Sequence, residues 1–260
     1  MTLNHIRRGT GPPLLLVHGL GGHWQSWETV LDRLAAEREV VAVDLPGFGE
    51  TPALAGTPTF AALTDALESF LDAEGLRGID AVGTSMGARM VLELARRGAV
   101  GRVVSLDPGG FWNLPERAVF GATVGASISL LRALRDRLPA LMRSAAGRRA
   151  LLVQFSAHPE RLAPDVVTKE LQSFADSPSA LPVLRSLVTG SGQEGMPASA
   201  QPGTIVIVWG RQDRVCPPWQ ARRATNRFPG ATLVWLDDCG HLPHWDQPDQ
   251  TVRLILGHTG

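Results

Sequence analysis

The chain has 260 residues, of which 44% are hydrophobic and 19% are charged, a composition typical of a globular protein with a substantial core. Its 25 basic residues balance 25 acidic residues, whereas a general nucleic-acid or membrane-surface binder would carry a basic excess. The N-terminus lacks the apolar run of a signal peptide, so we expect a cytoplasmic protein. The partner that we expect is a small molecule.

Short apolar runs alternate with helical patterns along most of the chain. The runs predict buried strands at residues 14–17, 40–43, 78–82, 102–106, 204–209 and 231–236. The helical patterns predict helices from a Ser26 cap to about residue 36 and over residues 60–74, 88–95, 218–227 and 249–256. Apolar strands in alternation with helices predict an α/β fold with a parallel sheet covered on both faces.

The pattern changes between residues 111 and 195, where no strand is predicted. Leucine, alanine and arginine recur there at helical spacing, as in Leu130–Arg135, and six prolines interrupt the segment. We interpret residues 111–195 as a helical insertion of four or five helices. The predicted organisation is a core formed by residues 1–110 and 196–260, with the insertion between the two parts.

Ser85 lies in Gly83-Thr84-Ser85-Met86-Gly87, a G-x-S-x-G pattern between a predicted strand and a predicted helix. A strand, a sharp turn and a helix with serine at the apex form a nucleophile elbow, which lifts the hydroxyl out of the sheet. Glycine occupies positions 83 and 87 because a side chain at either position would collide with the adjoining strand or helix. A serine hydroxyl is a poor nucleophile at neutral pH, so the pattern also predicts a base nearby.

Residues downstream of Ser85 supply candidates for that base and for the acid that orients it. Asp213 follows one predicted strand, and His241 follows the next. Ligands and catalytic groups gather at the carboxyl ends of parallel strands, so we expect these side chains to meet. Asp107, at the end of the strand after the elbow, is the alternative acid. His244 is the alternative base, although a packing role suits it better.

Five motifs together resemble those of the α/β-hydrolase fold family, in the family's order and approximate spacing. They are His18-Gly19-Leu20-Gly21, Asp44-Leu45-Pro46-Gly47-Phe48-Gly49, Gly83-Thr84-Ser85-Met86-Gly87, Trp209-Gly210-Arg211-Gln212-Asp213 and Gly240-His241. The resemblance covers nearly the whole chain and implies a mostly parallel eight-stranded sheet with helices on both faces. It also implies a helical cap inserted after the sixth strand, and residues 111–195 occupy that position.

The resemblance implies a role for each matching residue. Ser85 resembles the nucleophile, His241 the general base and then acid, and Asp213 the residue that fixes the imidazole tautomer. The backbone N–H groups of Leu20 and Met86 would form the oxyanion hole, which stabilises the developing negative charge. The chain order of serine, acid and histidine is also that of this fold.

Aromatic and imidazole side chains near the predicted site are candidates for substrate contacts. They are His23, Trp24, Phe111 and Trp112. The two cysteines have no metal-ligand spacing and form no disulfide framework, and no zinc or dinucleotide motif is present. We therefore expect neither a metal ion nor a cofactor.

The predicted function is that of a serine hydrolase, resembling a carboxylesterase, that cleaves a small ester or a similarly activated carbonyl through an acyl-enzyme. A carbon–carbon bond hydrolase of the meta-cleavage-product type, a cofactor-free haloperoxidase, a lactonase and a thioesterase share the same three residues and remain possible. A ligand-binding, receptor-like member of the fold is the non-enzymatic alternative. Serine at position 85 disfavours the aspartate-nucleophile branches, and the absence of tyrosine removes the phenols that epoxide opening uses.

Overall fold

One sheet forms the centre of the molecule in the computed structural model, which describes residues 2–201 and 203–260. Its strands are β1 (His5–Arg8), β2 (Pro13–Val17), β3 (Glu39–Val43), β4 (Asp80–Thr84), β5 (Val103–Leu106), β6 (Ile205–Gly210) and β7 (Thr232–Leu236). They lie in the order β1-β3-β2-β4-β5-β6-β7. β1 is antiparallel to β3, and the other neighbouring strands are parallel.

Both faces of this sheet are covered by hydrophobic side chains. In β2, Leu15 and Val17 belong to one buried cluster, while Leu14 and Leu16 belong to another on the opposite face. Because each face has its own core, the central strands carry apolar residues at successive positions rather than only at alternate positions. This is why they form continuous apolar runs in the sequence.

Helices pack on both sides of the sheet. The described chain contains the helices α1 (Glu28–Ala35), α2 (Phe60–Ala73), α3 (Met86–Arg96), α4 (Leu114–Ala133), α5 (Leu138–Arg143), α6 (Ala145–Leu152), α7 (Pro164–Asp176), α8 (Ala180–Thr189), α9 (Ala221–Arg227), α10 (Pro243–Asp246) and α11 (Pro248–His258). Residues of α1 and α11 join the cluster on one face, and residues of α2, α3 and α9 join the cluster on the other.

The insertion between β5 and β6 consists of α4 to α8, and no strand occurs among its described residues. Val124 of α4 and Leu171 of α7 belong to the same hydrophobic cluster as Met86 and Met90 of α3. The insertion therefore shares a core with the helix that follows Ser85. The division of the chain into a core and a cap at residues 111 and 195 remains a prediction.

The described sheet has seven strands, one fewer than the family resemblance implied, and the insertion follows the fifth strand rather than the sixth. β1 lies at one edge, and no described strand pairs with its outer side. The sequence did not predict β1 because it has no apolar run. It contains His5 and two arginines, which an edge strand tolerates because it is only half-buried.

The start of the first helix also differs from the prediction that Ser26 caps it. Ser26 lies within a short 3₁₀ turn, Trp24–Trp27, and α1 begins at Glu28 without a side-chain cap. The Ser26 hydroxyl is used elsewhere, because it hydrogen bonds to Glu170 of α7.

Among the described residues, no single helix is long and apolar enough to cross a bilayer. One pair, Leu114–Ala133 and Arg135–Arg143, reaches the required length and hydropathy only when taken together across a bend of 70°.

Candidate active site

Ser85 occupies the turn between β4 and α3 with φ 56° and ψ −114°, a strained backbone conformation for a residue with a side chain. The turn is tight enough to require glycine on both sides. A Cβ atom on Gly83 would lie 2.2 Å from the carbonyl oxygen of Gly87, and one on Gly87 would lie 2.2 Å from that of Val17. The strand and helix therefore hold Ser85 in this conformation, in the wall of a cavity.

The side chains of Ser85, His241 and Asp213 meet beyond the carboxyl ends of β4, β7 and β6. The Nε2 atom of His241 lies 2.8 Å from Oγ of Ser85, and its Nδ1 atom lies 2.8 Å from Oδ2 of Asp213. Because a carboxylate accepts hydrogen bonds, we assign the imidazole proton to Nδ1, which leaves Nε2 free to accept from the serine hydroxyl. The histidine is only 2% exposed, so water competes little for these contacts.

The Asp213 carboxylate is fixed by the loop that follows β6. Its Oδ1 atom accepts hydrogen bonds from the N–H groups of Val215 and Cys216, at 2.8 and 2.9 Å. Its Oδ2 atom accepts from His241. Both carboxylate oxygens are therefore occupied, which sets the plane of the carboxylate and orients the imidazole.

Asp107, the alternative acid, has a different set of contacts. It follows β5 with a positive φ of 48°, and its Oδ1 atom accepts the N–H of Gly210 at 2.8 Å. Burial, and then the charge of Asp213, raise the pKa of Asp107 well above its ordinary value, which favours its protonated form. Among the described residues, the carboxylate that accepts a hydrogen bond from His241 Nδ1 belongs to Asp213, so the geometry favours Asp213 as the orienting acid.

The loop that carries His241 is attached to the insertion. The His241 N–H donates to the carbonyl oxygen of Phe155 over 2.9 Å. The Oδ2 atom of Asp246 accepts from the N–H groups of Gly240 and Ala157, at 2.7 and 2.8 Å. One carboxylate oxygen thus joins the histidine loop to the segment after α6, so the position of the imidazole depends on the insertion.

The predicted oxyanion donors belong to two segments that meet at Ser85. Leu20 lies in the loop after β2, and Met86 is the first residue of α3, where helix N–H groups have no acceptor within the helix. Neither N–H donates to a backbone acceptor in the part of the chain that the structure describes. A Cβ atom on Gly19 would lie 3.1 Å from Cβ of Ser85, so the loop passes directly beside the serine.

Two side chains hold this loop in place. The Nε2 atom of His18 accepts from the N–H of Leu45 at 3.0 Å, so Nδ1 carries the proton and donates to the carbonyl oxygen of Gly19 at 2.7 Å. Burial lowers the pKa of His18, which favours the neutral ring that this arrangement needs. Phe174 of α7 covers Gly21, where a Cβ atom would lie 1.4 Å from the phenyl ring.

A cavity adjoins Ser85 and His241, with an empty volume of about 820 Å³ that includes the part open to solvent. The apolar part of its wall comes from both the core and the insertion: Leu20, Met86, Trp112, Phe120, Val124, Phe155, Leu171, Phe174, Leu187, Val215, Leu242 and Trp245. Polar side chains of the wall, apart from Ser85 and His241, include Ser26, Thr84, Arg89, Glu170 and His244.

Of the four predicted substrate contacts, Trp112 lines this cavity and the other three do not. Phe111 packs against Phe228 with 6.3 Å between the ring centroids. Trp24 packs against the hydrophobic cluster on the opposite face of the sheet. His23 is buried at the start of the 3₁₀ turn, where burial lowers its pKa to about 4. A position near a strand end does not indicate which way an aromatic or imidazole side chain packs, and the roles of these residues in substrate binding stay predictions.

Arg89 and Glu170 were missed by the sequence analysis, although both contribute to the wall of the cavity. The Arg89 guanidinium lies 3.9 Å from the centre of the Phe60 ring and donates to the carbonyl oxygen of Ser191 at 2.9 Å. Burial lowers the pKa of Arg89 to about 10 and raises the pKa of Glu170 to about 7. The sequence signal that could have identified both residues is a charged side chain on the face of a helix that the hydrophobic spacing predicts to be buried.

Ligand atoms of Asp213, Cys216 and His241 lie within 4.8 Å of one another, a spacing that metal sites also show. Here the Asp213 carboxylate already accepts three hydrogen bonds from the protein. Burial raises the pKa of the Cys216 thiol well above its ordinary value, whereas metals bind the thiolate. The contacts therefore fit an oriented imidazole better than a set of metal ligands.

The sequence model of the family described as "Alpha/beta hydrolase family" matches residues 14–254. A curated relative, the dihydrolipoyllysine-residue acetyltransferase component of the acetoin cleaving system of Cupriavidus necator, is 31% identical over 99% of this chain. The chain spans 66% of the length of that relative.

Two hydrolases are similar over nearly the whole chain. The pimeloyl-[acyl-carrier protein] methyl ester esterase of Aromatoleum aromaticum is 28% identical over 94% of this chain and 96% of its own length. The 2-hydroxy-6-oxo-2,4-heptadienoate hydrolase of Pseudomonas putida is 27% identical over 95% of this chain and 88% of its own length. A solved esterase from Thermogutta terrifontis has the same fold, with a TM-score of 0.75 and 22% identity over 99% of this chain and 94% of its own.

Proposed function

Because the chain belongs to the alpha/beta hydrolase family, we propose that it is a serine hydrolase that cleaves a small carboxylic ester or a similarly activated carbonyl. The observation that carries the proposal is the pair of 2.8 Å contacts that link Ser85 to His241 and His241 to Asp213. The similarity to a methyl ester esterase over 94% of the chain supports an ester as the substrate class.

In the first half of the reaction, Ser85 Oγ attacks the carbonyl carbon of the ester and His241 Nε2 takes the hydroxyl proton. The resulting imidazolium remains hydrogen bonded to the Asp213 carboxylate through Nδ1. When the carbon–oxygen bond of the ester breaks, Nε2 returns the proton to the leaving alcohol. The acyl group is then bonded to Ser85.

Water completes the cycle by the reverse use of the same groups. His241 Nε2 takes a proton from a water molecule, whose oxygen attacks the acyl carbon. The bond to Ser85 Oγ breaks, the proton passes to that oxygen, and the free carboxylic acid leaves. No cofactor takes part in either half of this scheme.

The negative charge on the carbonyl oxygen is stabilised by the N–H groups of Leu20 and Met86. Both are free of backbone acceptors in the described structure and belong to segments adjoining Ser85. Met86 also begins α3, and a helix N-terminus favours a nearby negative charge. Loss of one such donor typically lowers the rate by about a hundredfold or more.

Hydrolysis of a carbon–carbon bond is the second candidate. The similarity to a 2-hydroxy-6-oxo-2,4-heptadienoate hydrolase over 95% of this chain favours it over haloperoxidase, lactonase or thioesterase activity. The same serine, histidine and aspartate would act there, so the cavity wall rather than the three residues separates the two reactions.

Labelling with a fluorophosphonate, followed by peptide mass spectrometry, tests the proposal directly. We expect the label on Ser85, together with hydrolysis of p-nitrophenyl esters that falls by about six orders of magnitude in Ser85→Ala. Ser105→Ala, which changes a buried serine on β5, is the matched control and should keep the activity. Absence of label on folded protein would favour a ligand-binding member of the fold. Turnover of a dienoate ring-cleavage product in preference to every ester would favour the second candidate.

A further inference from the structure

Glu170 is placed where its helix otherwise presents apolar residues. In α7, Val167, Leu171 and Phe174 are buried, and their positions correspond to i, i+4 and i+7 of an amphipathic helix. Glu170 occupies the i+3 position of the same stripe and lines the cavity together with Leu171 and Phe174. Glu170 itself is half-buried, because its carboxyl group lies in the wall of the cavity.

The protein gives this carboxyl group few partners. Ser26 Oγ donates to Oε2 of Glu170 at 2.7 Å, and the same hydroxyl oxygen accepts from the N–H of His23 at 3.1 Å. Among the described contacts, Oε1 of Glu170 accepts no hydrogen bond. A Cβ atom on Gly22 would lie 3.2 Å from this Oε1 atom, so the carboxyl group sits against the loop that contains Leu20.

No described cation is paired with Glu170. Its neighbour Lys169 pairs with Glu28 at 3.2 Å, and Arg89, on the wall of the same cavity, donates to the carbonyl oxygen of Ser191 instead. Burial, opposed by the Ser26 hydrogen bond and reinforced by the charge of Glu28, raises the pKa of Glu170 to about 7.

The imidazoles of the cavity wall, and that of His23 beside Ser26, do not supply the missing positive charge. Burial lowers the pKa of His23 to about 4 and that of His244 to about 3, so both rings are neutral at neutral pH. His241, the remaining imidazole of the cavity wall, is held between Ser85 and Asp213.

A carboxyl group with one free oxygen, in a largely apolar cavity and without a cation, is poorly compensated by the protein. Such a group gains stabilisation when a ligand donates a hydrogen bond to it. We propose that Glu170 is a specificity residue that binds a hydrogen-bond donor on the substrate, a hydroxyl or an ammonium group remote from the scissile carbonyl. This inference rests on the proposed function as a serine hydrolase and adds a substrate class to it.

The test compares three p-nitrophenyl esters with acyl chains of equal length: the hexanoate, its ω-hydroxy derivative and its ω-amino derivative. In the wild-type protein, kcat/KM for at least one derivative should exceed that for the hexanoate by about tenfold or more, the effect of one hydrogen bond to an ionisable group. Glu170→Leu should abolish this preference, and Glu170→Gln should reduce it. Asp165→Asn, which removes a carboxylate from the exposed side of α7, is the control and should leave the preference intact.

At each pH, the ratio of kcat/KM for a derivative to kcat/KM for the hexanoate distinguishes the two donors, because the steps common to both esters cancel in the ratio. Preference for an ammonium group should decline as pH falls through about 7, since Glu170 then loses its charge. Preference for a hydroxyl group should persist, because a protonated carboxyl still accepts a hydrogen bond.

Equal kcat/KM values for the three esters in the wild-type protein would overturn the assignment of Glu170 while leaving the proposed function intact. A folded Glu170→Gln variant that loses hydrolysis of the plain hexanoate would also overturn it, because Glu170 would then act in the reaction itself. Failure of the proposed function has a different signature: no ester is hydrolysed, and Ser85 takes no fluorophosphonate label.

Discussion

The Nδ1 atom of His241 lies 2.8 Å from Oδ2 of Asp213, although 28 residues separate them in the chain. Each residue follows a different strand of the sheet, β7 and β6, which are neighbours and parallel. The contact is therefore a product of sheet topology rather than of local sequence, and it favours Asp213 over Asp107 as the partner of the imidazole.

Asp213→Asn should lower kcat for ester hydrolysis by about three orders of magnitude or more, because an amide would favour the wrong imidazole tautomer. Asp107→Asn should lower it by less than about tenfold, since an uncharged side chain can still accept the N–H of Gly210. Steady-state kinetics of the two folded variants checks this order. The opposite ranking would assign the orienting role to Asp107.

Asp246→Ala should reduce kcat by about tenfold to a hundredfold with a smaller change in KM. Removal of this carboxylate leaves the N–H groups of Gly240 and Ala157 without their acceptor and frees the histidine loop from the insertion. The free energy of unfolding should also fall by about 1–3 kcal/mol, because the buried N–H donors lose their acceptor. Wild-type kcat in a variant with the expected loss of stability would show that Asp246 only stabilises the fold.

Gly87→Ala should destabilise the protein by about 3 kcal/mol or more, because the new methyl group would collide with the backbone of Val17. Gly257→Ala is the matched control. It lies in α11 with no atom within 4 Å of the added methyl group, so it should stabilise the protein by about 0.5 kcal/mol. Urea denaturation measures both values. A loss of less than about 1 kcal/mol for Gly87→Ala would contradict the tight turn.

Glu170→Gln should become more stable relative to the wild type as pH rises from about 4.5 to about 7. The pKa of Glu170 is raised in the folded protein, so the folded state binds more protons than the unfolded state within that window. Ionisation of Glu170 therefore lowers the free energy of unfolding of the wild type as pH rises, by at most about 3 kcal/mol. The amide of Glu170→Gln does not ionise, so the variant does not lose this stability. The difference should be constant above pH 7 and below pH 4.5.

Thermal or urea unfolding of both proteins across this pH range measures the difference. Glu170→Leu should follow the same trend, because it also lacks the ionisable group. A difference that does not vary with pH would show that the carboxyl group is well solvated in the cavity.

The elbow and the three central side chains were accessible from sequence because each depends on a short motif beside an apolar strand. Gly83 and Gly87 are fixed by backbone contacts, and Asp213 and His241 follow strands that any parallel sheet brings together. Such features need no knowledge of which helix packs where. β1 escaped prediction for the opposite reason, since its half-buried edge position imposes no apolar pattern.

The wall of the cavity was much less accessible, because it depends on how the insertion docks. Trp112 reaches the cavity whereas Phe111, one residue earlier, packs against Phe228, and no local pattern distinguishes the two. The position of Glu170 in the cavity wall depends on how α7 is rotated about its axis relative to the core. The packing of Val167 and Leu171 reveals that rotation. Short motifs thus indicate the residues of the proposed reaction, whereas they do not indicate the residues of the cavity wall.

Phe174 of the insertion fills the space that a side chain at position 21 would need. Asp246 accepts hydrogen bonds from Gly240 in the histidine loop and from Ala157 in the insertion. The insertion is consequently not an interchangeable module. A transplanted cap from another hydrolase would have to reproduce both attachments, or the recipient would lose the alignment of its reactive groups along with its old selectivity. Engineering of this scaffold is better served by substitutions within the existing helices than by exchange of the whole segment.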